Sequence, residues 1–297
     1  MQIIKVQRSA SKQNHVWAIP ALFAGATFWG LVWYPYRVLE DVGVSGEVST
    51  LLTYVVALLI GVVAFRTNLR EAGASWRVLL GIALSAGWTN LAYVLAIING
   101  EVVRVLLLFY LSPLWTLIFA RVLLAEHMHR TGYLVIALSL AGAFTMLWLP
   151  DNPLPLPQTV AEWLGLSGGL TFALSNVLVR KASATSVQMK ALAVWGGVTL
   201  VTLPYCLLDL PASLAAIDAA SWWTIAAVGA LLFLFSVIVQ YGVSHTPANR
   251  AIVIFLSELV VAALAAYWLA GETMTLREWL GGAMIVSASL YSSRVAH

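Results

Sequence analysis

Apolar stretches, each ended by a charged residue or a Pro/Gly cluster, recur along the whole chain. A helix needs about 20 such residues to cross the hydrocarbon core of a bilayer. With charges and Pro/Gly clusters as punctuation, ten segments qualify: roughly 16–36, 47–65, 77–98, 102–124, 131–149, 160–180, 188–208, 219–243, 248–270 and 276–293. Connections are short, leaving no room for a water-soluble domain. Of the 297 residues 61% are hydrophobic and 10% charged, whereas a soluble chain carries roughly a quarter charged residues. There is too little polar surface to face water, so lipid is the expected outer solvent. The expected class is an all-α integral membrane protein.

The lysines and arginines set the orientation. With ten spans and a cytoplasmic N-terminus, thirteen of the sixteen fall in cytoplasmic segments, and Arg37, Arg104 and Arg277 fall outside. One span more or fewer would scramble that asymmetry. The pattern predicts a multi-pass protein of the inner (plasma) membrane with both termini in the cytoplasm. Lys5, Arg8 and Lys12 precede the apolar run from Val16 to Tyr34, which reads as a retained first helix rather than a cleaved signal. The net charge of +3 is spread between apolar runs, unlike the concentrated patch of a nucleic-acid binder.

Two halves of the chain repeat. At a shift of 146, Arg104 meets Arg250, Phe109 meets Phe255, Glu126 meets Glu272 and Met128 meets Met274. At a shift of 144, Gly25-Ala-Thr-Phe28 meets Gly169-Leu-Thr-Phe172. Arg104 and Arg250 each stand 22 residues before a glutamate that ends a helix. The expected division is a first five-helix repeat at 16–149, a proline-rich linker at 150–158, and a second five-helix repeat at 159–293. Five is odd, so the second copy enters the membrane from the opposite side. Two such inverted repeats around a central cavity are a recurring design of secondary transporters.

Some of these residues resemble a known family. Tyr110-Leu-Ser-Pro-Leu-Trp-Thr-Leu-Ile-Phe-Ala-Arg-Val-Leu-Leu-Ala-Glu126, then a polar turn and a Gly/Ala-rich helix, resembles EamA-type members of the drug/metabolite transporter superfamily. Phe255-Leu-Ser-Glu-Leu through Gly271-Glu272 and Gly281-Gly282 resembles a second copy, with Glu258 near the position that Pro113 holds in the first. Trp29-Gly30 also fits. The tryptophan-rich first helix and the Phe-Leu-Ser-Glu segment look most like the aromatic amino-acid exporters of that superfamily. The resemblance implies ten helices, a central cavity and export of small metabolites.

Glu258 is the leading candidate for chemistry. It lies within an uncharged run, where a bare carboxylate costs about 3 kcal/mol on insertion scales. It must face the protein interior or a watery cavity. It could couple transport to protons, hold a substrate ammonium group, or be a structural acid bonded to a neighbouring helix. Asn90, Ser112, Asn176, Gln240 and Ser244 both donate and accept, which suits a zwitterion, though such groups also join helices. Gln240 and Ser244 share a helix face, and Tyr241 adjoins Gln240. Trp29, Trp88, Tyr93, Tyr110 and Trp163 are candidate cavity aromatics, as is Trp115; an interfacial belt accounts for Trp76, Trp222, Trp223 and Trp279. Pro35 and Pro113 lack an amide proton and are candidate hinges. Glu126 and Glu272 read as helix-end anchors, with gating as the alternative.

There is no P-loop, HExxH or Gly-x-Ser-x-Gly elbow, so no enzyme and no cofactor are expected. His127 and His129 lack further ligands for a metal, and Cys206, the only cysteine, reads as a small buried apolar residue. The expected partners are a small-molecule substrate such as an amino acid, lipid, and protons as a possible coupling ion. A cationic drug held by Glu258 is the alternative cargo.

Overall fold

The computed structural model describes residues 17–67, 76–125, 130–148, 156–207, 210–246, 254–255 and 257–295. Glu126, His127, Met128, His129, Arg250 and most of the proline-rich linker lie outside the described residues, as does the side chain of Ser244. The described residues are helical, without strands. In chain order the helices are α1 (Ala18–Leu31), α2 (Trp33–Asp41), α3 (Gly46–Ala64), α4 (Trp76–Asn99), α5 (Val102–Phe109), α6 (Ser112–Leu124) and α7 (Arg130–Leu147). Then come α8 (Val160–Lys181), α9 (Val187–Cys206), α10 (Leu210–Ala216), α11 (Ala219–His245), α12 (Ser257–Ala270) and α13 (Leu276–Val295). Five helical stretches are long and apolar enough to cross a membrane: Gly46–Ala64, Trp76–Asn99, Val102–Leu124, Val187–Cys206 and Ala219–Val243. Tyr133–Thr145 and Ser257–Ala270 are shorter apolar helices.

Polar residues start the helices where the apolar runs begin. Ser45, Ser186 and Asp218 accept the amide protons of Val48, Met189 and Ser221. Thr159 and Thr275 each accept from the amide of the glutamate three residues on. Glu278 returns the bond to the Thr275 amide (2.8 Å), and Glu162 to the Gln158 amide (2.6 Å). These are reciprocal caps that satisfy otherwise orphaned amide donors.

Two of the expected spans are interrupted, and proline explains both. A proline ring clashes with the carbonyl four residues earlier. For Pro35 that residue is Leu31, where α1 ends; for Pro113 it is Phe109, where α5 ends. The first span is therefore two segments meeting at Val32, rather than the single helix expected over 16–36, and it runs on to Asp41.

Helix directions follow from which residues face each other. Gly25 lies against Val239 and Gly242 against Leu22, so α1 and α11 are antiparallel. Thr89 bonds Thr171 (2.8 Å) while Gly81 faces Leu178, making α4 and α8 antiparallel. Gly165 meets Val105 and Gly169 meets Phe109, so α5 and α8 are parallel; Gly25 meets Phe255 and Gly30 meets Val261, so α1 and α12 are parallel. At the crossing of α7 and α13, a Cβ on Gly142 would stand 2.8 Å from the Gly281 carbonyl. Only hydrogen allows that approach. The major contacts are paired. Exchanging α1 with α8, α3 with α9, α4 with α11, α5–α6 with α12 and α7 with α13 turns the α4–α8 packing into α11–α1. The same exchange turns α9–α4 into α3–α11, and α5–α6 on α8 into α12 on α1.

Candidate functional site

Glu258 stands in the first turn of α12, held against α1 so closely that a Cβ on Gly30 would be 2.9 Å from the Glu258 carbonyl. Its carboxylate accepts a hydrogen bond from the Tyr110 hydroxyl at 3.0 Å. Tyr110 occupies the gap between α5 and α6, so the break made by Pro113 points this phenol at the acid. No arginine or lysine pairs with Glu258 among the described residues.

Other hydroxyls gather around this pair. Tyr93 on α4 lies near Glu258, and its buried hydroxyl has no hydrogen-bond partner among the described residues. Its ring meets Phe109 edge-on at 5.7 Å. Tyr54 on α3 donates to the Asn90 side-chain carbonyl, while the Asn90 amide donates to the Ala86 carbonyl at 2.8 Å. Tyr36 on α2 shares a 2.9 Å bond with Thr53. Trp29 and Phe28 pack on the apolar cluster containing Tyr36 and Tyr54, and Phe28 stacks on Phe235 at 4.5 Å. The seam thus combines one acid, several phenols and an aromatic wall.

Of the candidates read from the sequence, this seam brings together Glu258, Tyr110, Tyr93 and Asn90, with Trp29 beside it. The others lie elsewhere. The Trp88 indole donates to Ser167 (3.1 Å) and its ring neighbours Tyr205, between α8 and α9. Trp163 is half exposed at the start of α8, and Asn176 is exposed further along it. Ser112 is buried at the start of α6, Trp115 carries a buried indole N–H without a partner among the described residues, and Tyr241 is half-buried. Gln240 is exposed. Because Phe28 faces Phe235, the level of Gly30 on α11 falls near residue 233, and Gln240 lies about 10 Å beyond it. Pro35 and Pro113 both sit just after helix breaks.

Tyr36, Thr53 and Tyr54 went unnoticed in the sequence. Each lies inside an apolar run, and Thr53 beside Tyr54 on a helix with few other polar residues was the available signal.

At the end of the bundle that carries Glu101, charges cluster. The Arg37 guanidinium donates to the carbonyls of Ile97 (2.8 Å) and Gly100 (2.6 Å) and pairs with Glu272 at 3.1 Å. Arg104 pairs with Glu162 at 2.7 Å and Glu278 at 3.5 Å. Glu272 is therefore bound into a charge network, more than an anchor at a helix end.

The EamA-like transporter family model matches the chain twice, over residues 16–148 and 159–294. An uncharacterized transporter from Archaeoglobus fulgidus is 31% identical over 227 residues, covering 76% of this chain and 80% of that protein. A solved crystal structure superposes with a TM-score of 0.61 over 94% of this chain and 98% of that one, at 15% identity, a likeness of fold. Two matches that together span nearly the whole sequence, on a helical bundle with membrane-length apolar helices, fix the assignment: the chain belongs to the EamA-like transporter family.

Proposed function

We propose that the chain is a secondary exporter of small amphipathic metabolites, aromatic and hydrophobic amino acids foremost, working by alternating access. The two moving bodies are inverted five-helix repeats, 16–149 and 159–293, joined by the proline-rich stretch at 150–158. The paired helix contacts and the opposed directions of exchanged helices support this reading. The protein spans the inner membrane ten times with both termini in the cytoplasm, as the distribution of lysine and arginine supports.

The observation that carries the site is Glu258, an acid within the bundle whose partner among the described residues is a neutral phenol. Such a carboxylate lacks its countercharge, and a substrate ammonium group or a proton supplies it. Tyr93 offers the same ammonium group a second oxygen, one with no hydrogen-bond partner among the described residues, and Trp29 with Phe28 offers apolar surface to an aromatic or aliphatic side chain. Pro35 and Pro113 act as hinges, since the helix is already interrupted at each. A cationic drug or amine is the second reading, favoured because no basic side chain pairs with the acid among the described residues.

The test is flux in liposomes with labelled phenylalanine, tryptophan, alanine and a cationic dye. The two aromatic amino acids should move at least about tenfold faster than alanine, as apolar pockets discriminate by side-chain size. Flux of the dye alone would favour the second reading. No flux of any would overturn both.

A further inference from the structure

We propose that the ion pairs at the Glu101 end form a latch between the two halves of the chain, closed in this conformation and opened once per transport cycle. Among the described residues the three ion pairs all lie at this end, and each joins an arginine of the first half to a glutamate of the second. Arg37 ties α2 to the residue pair after α12; Arg104 ties α5 to α8 and α13 at once.

Arg104, Glu162 and Glu278 sit in the first turns of their helices, and Glu272 follows closely on the end of α12. Glu162 and Glu278 are fixed by their own capping bonds, so Arg104 grips two rigid N-termini. Arg37 caps the last turn of α4 through the Ile97 and Gly100 carbonyls and lies 5.0 Å over the Trp33 ring. The Glu272 carboxylate also accepts from the Val103 amide at the start of α5. Pairs of this kind, largely shielded from solvent, hold more firmly than exposed ones. They still exchange for water when the ends part, as a reversible closure requires.

The latch is joined to the acid seam by continuous pieces of chain. Arg37 directly follows Tyr36; α5 begins near Arg104 and ends just before Tyr110; α12 carries Glu258 near its start and leads into Glu272. A shift of α12 on cargo binding therefore pulls on Glu272. The nine-residue α2, jointed to α1 at Val32, is the lever that would swing away with Arg37.

Ala265, buried against Trp33, Ala96 and Ala161, lies beneath the latch on α12 and serves as a reporter. In full-length protein carrying Cys206→Ala and Ala265→Cys, in liposomes, a membrane-impermeant maleimide is added on the side of Glu101. With the latch intact labelling should be slow; adding Glu272→Gln and Glu278→Gln should speed it roughly tenfold, the size of a typical coupling between sites. Unchanged labelling would overturn the proposal. This arm needs no cargo, so it stands apart from the reading of Glu258. In a second arm, Arg37→Cys and Glu272→Cys are bridged with a reversible thiol-to-thiol crosslinker. Bridging should stop flux of whichever labelled compound the wild type moves, and reduction should restore it. Undiminished flux through the bridged protein would show that this end need not open.

Discussion

Glu258 could be picked out from its position alone, because a carboxylate in an uncharged run has few cheap explanations. Its companions could not. Tyr36 and Tyr54 look in the sequence like any aromatic in a span, and only the packing of α2, α3 and α4 aims their hydroxyls at Thr53 and Asn90. Gln240 illustrates the converse: a polar residue in an apolar run drew attention, yet it lies on an exposed face below the seam. Asn176 and Trp163 are exposed too, and an apolar run with little periodicity does not reveal which side faces inward. Partial burial, and after it the charge of Glu278, push the Glu101 carboxyl above its ordinary value. The folded state then binds the proton more tightly than the unfolded chain, so the ionised group opposes folding fully above that raised value, less as the pH falls through it, and not at all below the ordinary value. Glu101→Gln should raise the thermal unfolding midpoint in detergent at neutral pH, and the gain should vanish in acid. A gain that persists in acid would contradict it.

At the level of helices, charges and Pro/Gly clusters placed most boundaries within a few residues, because they mark where the chain leaves lipid. The breaks at Val32 and at Tyr110–Leu111 were foreshadowed by Pro35 and Pro113, although the run over 16–36 read as one piece. Close crossings were harder to foresee. The chain has 21 glycines, and beyond the four-residue spacing of Gly165 and Gly169, which both meet the α5 backbone, little in their spacing separates those that meet a backbone from those that meet space. Gly87 is of the first kind: a Cβ there would stand 2.6 Å from the Gly197 carbonyl, forcing α4 from α9. Gly87→Ala should cost about 1–3 kcal/mol of stability, as overpacked sites do. Gly196→Ala, whose nearest neighbour would be Leu58 at 3.9 Å, should be neutral or slightly favourable. Thermal unfolding of the two variants in detergent checks the contrast; equal midpoints would contradict it.

For the whole molecule, the twofold likeness of the halves was legible in a handful of polar matches, and the exchange of helix contacts follows the same pairing. The charge cluster was not legible. Arg104 stands 174 positions from Glu278, and no local pattern links them. It takes the antiparallel course of α4 and α8, and the approach of α13, to bring those ends together. The bundle that results carries its ion pairs at one end and, among the described residues, an acid within it that no basic side chain pairs. The most direct measurement compares labelled phenylalanine counterflow through wild type and Glu258→Gln, each in liposomes with an imposed proton gradient. Wild type should take up phenylalanine and the variant should show only the background of protein-free liposomes, with an unfolding midpoint unchanged or higher because a buried charge is gone. Equal uptake by the two, with equal response to the gradient, would contradict it.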